Sequence, residues 1–152
     1  MIGILMQNIH PSPKNIFAVK NINKLNERGT SSILFHDFIP FNFPVPVKTN
    51  MLQRAEAFNF NGTVITDDIM LAQEVRSMVY AKARYLYLYD LDWTRIDNLY
   101  FKHLKPLFLN DNIELIARSK THYKIITDLF KKPKYIMEHW DARILEEIDK
   151  NE

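Results

Sequence analysis

The chain has 152 residues, no cysteine and a formal net charge of +2. That length fits one domain able to bury a sizeable core. The missing thiols exclude disulfides, thiolate catalysis and zinc–thiolate sites. The near-balance of 20 basic and 18 acidic residues leaves no basic stripe, so nucleic acid and anionic membranes are not expected partners.

The start, Met1 to Gln7, is apolar without a basic region before it. The run is shorter than a signal peptide core or a membrane span, so a cytoplasmic protein is expected. Ile2–Met6 reads as a buried strand. Ser12-Pro13 opens a helix, with Ser as cap and Pro at the first helical position. Ala18, Ile22 and Leu25 mark its apolar face, and Gly29 ends it. Ser32–Phe35 is the second strand. Pro40, Pro44 and Pro46 place an extended loop between Asp37 and Lys48.

Met51–Phe58 reads as a short helix, and Asn61-Gly62 as a turn before a third strand, Thr63–Thr66. Asp67 or Asp68 caps the next helix, whose face is Leu71, Val75, Met78 and Val79. Arg84–Tyr89 is a strand with Tyr85, Tyr87 and Tyr89 on one face and Leu86 and Leu88 on the other. Two apolar faces predict a central strand covered on both sides. Ile96–Leu109 is an irregular or partly helical connection. Ile113–Ala117 is the fifth strand. Ser119 caps a helix carrying Ile125, Ile126, Leu129 and Phe130. Tyr135–Met137 is a short sixth strand, and Asp141 caps a last helix with Ile144, Leu145 and Ile148 inward.

This alternation predicts an α/β fold: one three-layer, Rossmann-like domain over residues 1–152, with a mostly parallel sheet of about six strands. Ligands of such sheets bind beyond the carboxyl ends of the strands. Those ends carry Asn8, His10, Ser12 and Lys14 after the first strand, Asp67 after the third, Asp90 and Asp92 after the fourth, and Arg118 and Ser119 after the fifth. Asp and Ser are also ordinary helix caps at such places. The first strand–helix turn, Gln7–Lys14, has no glycine, so backbone amides do not reach a pyrophosphate there in the usual dinucleotide-binding manner. There is no P-loop. The sequence assigns no cofactor and no metal ligand set.

Asp90-Leu91-Asp92 places two carboxylates on one side of an extended backbone, a pattern for sharing a divalent cation or dividing acid and base roles. With Trp93 and Thr94 the string resembles the DxDxT motif of haloacid-dehalogenase-like phosphatases, which would make the chain a metal-dependent phosphohydrolase using Asp90 and Asp92. That motif normally opens its domain, whereas 89 residues precede it here. The same DxD resembles the metal motif of one class of glycosyltransferases. Trp93 and Trp140 are suited either to stacking on a sugar or base, or to closing the core. His122 fits a helix face beside the core.

Taken in order, the elements resemble the N-terminal Rossmann half of a GT-B glycosyltransferase. IGILMQNIHPSPKNIFAVKNINKLNERG resembles that half's first strand, acceptor loop and first helix. IELIARSKTHYKIITDLFKKPKYIMEHWDARILEEI resembles its end, where a strand finishes in a Ser and a helix and short strand follow. The resemblance spans nearly the whole chain and stops where the sugar-nucleotide-binding half would begin. It implies an acceptor-side unit that binds a sugar acceptor or nucleotide-sugar, works with a second protein chain or as a homo-oligomer, or has lost catalysis. By position, Asn8, His10 and Ser12 would face the acceptor cleft, with a base near His10, and Arg118-Ser119 its far wall. A non-catalytic binding or regulatory module is the alternative, because fold does not fix function.

Overall fold

A computed structural model describes residues 1–95 and 98–152. Its strands are β1 (Ile2–Leu5), β2 (Ser32–His36), β3 (Asn50–Gln53), β4 (Thr63–Thr66), β5 (Ala83–Leu88), β6 (Glu114–Ala117) and β7 (Tyr135–Ile136). The α-helices are α1 (Pro13–Glu27), α2 (Ile69–Ser77), α3 (Asn98–Phe108), α4 (Lys120–Leu129) and α5 (Ala142–Asn151). The strands form one sheet of seven in the order β3-β2-β1-β4-β5-β6-β7. Every pairing between them is parallel. The expected three-layer, Rossmann-like α/β fold is therefore present, with one strand more than the sequence suggested.

The strand pattern sorts side chains to two faces, as a period of two demands. Tyr85, Tyr87 and Tyr89 of β5 and its end pack with Ile2, Ile4, α1 and α5. Leu86 and Leu88 pack on the other side with α2, α3, Trp93 and Ile126. Each fully buried aliphatic or aromatic side chain contributes roughly 1.5–3 kcal/mol through area removed from water. Trp93 and Trp140 are both core residues, the first against Phe108 and Phe130, the second against Tyr87. Neither is placed to stack on a ligand.

The helix signals act as their chemistry requires. Ser12 accepts from the Asn15 amide, Ser119 from His122 and Asp141 from Arg143. Gly29 takes φ +86° just beyond α1, a left-handed turn that favours glycine. Between the two candidate caps of α2, Asp68 is the cap, and it accepts from the Met70 and Leu71 amides. Asp67 is left for another task.

Three local expectations change. Met51–Phe58 is not one helix: Asn50–Gln53 forms the edge strand β3, and a 3-10 turn runs over Arg54–Asn59. The α2 helix stops at Ser77, so Met78 is buried while Val79 is exposed rather than inward. Leu129, at the end of α4, is also exposed rather than on the apolar face. The connection 96–109 is helical over Asn98–Phe108, and residues 96 and 97 lie outside the described ones. Among the described residues, no helix is long and apolar enough to cross a membrane.

Candidate functional site

The strand order reverses between β1 and β4: the chain runs from β1 to β2 on one side and from β4 to β5 on the other. Adjacent loops separate at such a point and leave a crevice at the carboxyl edge. A cleft of about 300 Å³ lies here, with Asn8, Lys14, Asp67 and Asp92 among its walls. That is the small end of ligand pockets, which run to roughly 1,000 Å³. Gln7, Asp68, Ile69 and Met70 complete it on the β1 and α2 sides.

Each polar wall is fixed by the local fold. Beyond β1, the Asn8 backbone continues beside Phe38 in a parallel bridge, and the Ile9 amide donates to the Phe38 carbonyl at 2.9 Å. Lys14 is held in the first turn of α1 by the Ser12 cap and Pro13. A cation there opposes the positive end of the helix dipole. Asp67 offsets it: Lys14 Nζ stands 2.9 Å from Asp67 Oδ2.

Asp67 is the most deeply placed of these groups. Its side chain is 4% exposed. Oδ2 is closed to solvent, with the Lys14 ammonium as its close partner. Burial pushes the Asp67 carboxyl above the usual carboxylate range, and this outweighs the attraction of Lys14. Lys14 itself is held above the ordinary lysine value: burial opposes its charge, and the Asp67 carboxylate more than restores it. The result is a carboxylate of raised basicity in the cleft wall, held by an ammonium.

The other sequence candidates stand elsewhere. His10 is exposed and outside the cleft wall, and its carbonyl accepts from Asn15 Nδ2 at 3.0 Å. Ser12 and Ser119 are engaged as caps. Asp90 and Asp92 diverge in their partners: Asp90 Oδ1 accepts from Arg118 at 3.1 Å, whereas Asp92 lines the cleft with Lys14. Among the described residues, no group of three or more His, Asp or Glu side chains is arranged to hold a metal ion.

A second polar group follows β5, β6 and β7. The Arg118 guanidinium lies over the Tyr89 ring at 5.0 Å, and the Tyr89 hydroxyl meets His139 Nδ1 at 2.8 Å. His139 follows the last strand, and nothing in its sequence setting marks it as part of a site. His139 and Trp140 have φ of 48° and 61°, two successive side-chain-bearing residues in the left-handed region. Such residues cost on the order of 1–3 kcal/mol each. The Asn21 side chain, which donates to the His139 carbonyl at 2.8 Å, and the Phe17 ring against His139 hold the turn. Nothing in the residue types of Glu138-His139-Trp140 announces that backbone.

No protein-family model, curated protein sequence or solved structure matches the chain. Fold and site geometry define its class: a doubly wound, parallel α/β domain with a carboxylate-lined crevice at its topological switch point.

Proposed function

We propose that the chain is a glycosyltransferase-like, acceptor-side unit that takes a polyhydroxylated ligand in the β1/β4 cleft. The observation that carries this reading is Asp67. It is a buried carboxylate in the cleft wall, 2.9 Å from the Lys14 ammonium, and burial makes it more basic than a free carboxylate. A ligand hydroxyl in the cleft would donate to the Asp67 carboxylate in a charge-assisted hydrogen bond. The amide side chains of Asn8 and Gln7 add donors and acceptors for neighbouring hydroxyls. The glycine-free first turn fits an acceptor better than a pyrophosphate, which needs close backbone approach.

In transfer, the acceptor oxygen bonds to the anomeric carbon of the donor sugar. The bond from that carbon to the nucleoside diphosphate breaks, and the acceptor proton passes to a base. Asp67, rather than His10, stands where a cleft-bound hydroxyl would meet it. Donor contacts come from a second chain in this reading.

The test is calorimetric titration with a panel of monosaccharides and nucleotide-sugars, for the native chain and Asp67→Asn. Saturable heat from a sugar, lost in the variant, is the expected result. No heat with any of them overturns the reading. Binding without transfer, when a donor-binding chain is added, identifies the non-catalytic binding module instead.

A further inference from the structure

We infer that the β3 edge of the sheet is a self-association surface, and that its partner is a second copy of this chain. The two edges of the sheet differ. The β7 edge is only two residues long and is preceded by Lys131-Lys132-Pro133-Lys134, the charges and proline that usually discourage edge pairing. The β3 edge, Asn50–Gln53, is exposed at all four positions and carries no charge and no proline. Met51 and Leu52 project apolar side chains from it, at 45% and 43% exposure. Outward-facing backbone groups on such a strand seek a partner strand.

Beside this edge lies a groove of about 410 Å³, walled by Ile39, Phe43, Val45, Val47 and Met51. No charged residue is among its walls. Phe41 stands at its rim, wholly exposed. An exposed aromatic ring and an apolar groove on one patch suit an isologous, two-fold contact, in which each copy's Phe41 enters the other's groove. This self-complementarity selects a second copy over an unrelated peptide.

Backbone geometry sharpens the arrangement. In antiparallel pairing, opposed residues either both turn their amide and carbonyl groups toward each other or both turn them away. A two-fold axis therefore passes through a residue position, not between two. Centring it on Met51, the strand residue that walls the groove, sets Met51 against its copy and Asn50 against Leu52. Two seven-stranded sheets then join into one continuous sheet.

Sedimentation equilibrium over a concentration series tests this on the full chain. A monomer–dimer equilibrium is expected. Phe41→Asp and Met51→Lys, each acting twice across the axis, are each expected to weaken it by about a hundredfold. Phe41 is wholly exposed, so Phe41→Asp keeps the native circular dichroism spectrum even where Met51→Lys disturbs β3. Hydrogen exchange at residues 50–53 is expected to slow as concentration rises. A strictly monomeric chain, or a dimer that neither substitution weakens, overturns the inference.

Discussion

Two strand-end ion pairs face the same edge of this sheet, and their difference is instructive. Lys14–Asp67 spans 2.9 Å and Arg118–Asp90 spans 3.1 Å. The cations are almost equally exposed, at 31% and 32%. The carboxylates are not: Asp67 is 4% exposed and Asp90 43%. Distance and charge are nearly the same, so solvent decides what each pair does. Water screens Asp90 and leaves the second pair little to contribute. Asp67 is removed from water and depends on Lys14 and on whatever else enters the cleft.

The sharpest way to break this comparison is Lys14→Met. It leaves a buried carboxylate without its cation, and a loss on the order of 3 kcal/mol in urea denaturation is expected. The sign of its pH dependence follows from the raised Asp67 value. An acid whose folded pKa lies above its unfolded one stabilises the fold at low pH, and that contribution is lost as pH rises through the folded value. The deficit of Lys14→Met is therefore largest near neutral pH and shrinks in acid, as Asp67 takes up a proton. An equal deficit at both would show that Asp67 is not the group responsible.

Asp67→Asn comes next in size for stability, and it is expected to abolish the ligand heat sought above. It leaves the Lys14 ammonium unpaired, but that group is 31% exposed and can turn to water, so a loss of about 1–2 kcal/mol, smaller than for Lys14→Met, is expected at neutral pH. Asp90→Asn, at the exposed pair, is expected to cost between zero and about 1 kcal/mol, and less in high salt. If chemical denaturation found Asp90→Asn as costly as Lys14→Met, the distinction between the pairs would fail.

The smallest effect concerns His122, which neighbours the exposed pair. Burial lowers its pKa, with Arg118 adding to the shift. A base with a depressed folded pKa contributes stability above its unfolded value, about 6.5, and loses it as pH falls through the folded value. His122→Gln is expected to flatten the acid side of a melting-temperature profile between about pH 5 and 7. An unchanged slope would assign it to another group, with His36 the next candidate because burial lowers it too.

Much of the fold was legible because it rests on local rules. The alternation of Tyr85–Tyr89 fixed a strand with two buried faces, and Ser12-Pro13 fixed the start of α1. The edge strand β3 was not legible. Asn-Met-Leu-Gln shows no strand alternation, and only pairing with β2 makes it extended. The site was half legible. Strand ends named Asn8, Lys14, Asp67 and Asp92 among many polar groups. No spacing rule separated Asp67 from Asp68, or Asp92 from Asp90. One carboxylate of each pair is taken elsewhere, by an amide cap or by Arg118.

Outside residues 50–59, the sequence by itself determined the order of strands and helices, because hydrophobic period and capping chemistry act over a few residues. It also determined that the first turn has no glycine and hence no close backbone approach for a pyrophosphate. The tertiary structure alone decided which strand-end carboxylate is dry. Lys14 and Asp67 lie 53 positions apart in the chain. They meet only because β4 returns to lie beside β1. Burial belongs to that packing, and burial gives Asp67 its raised basicity.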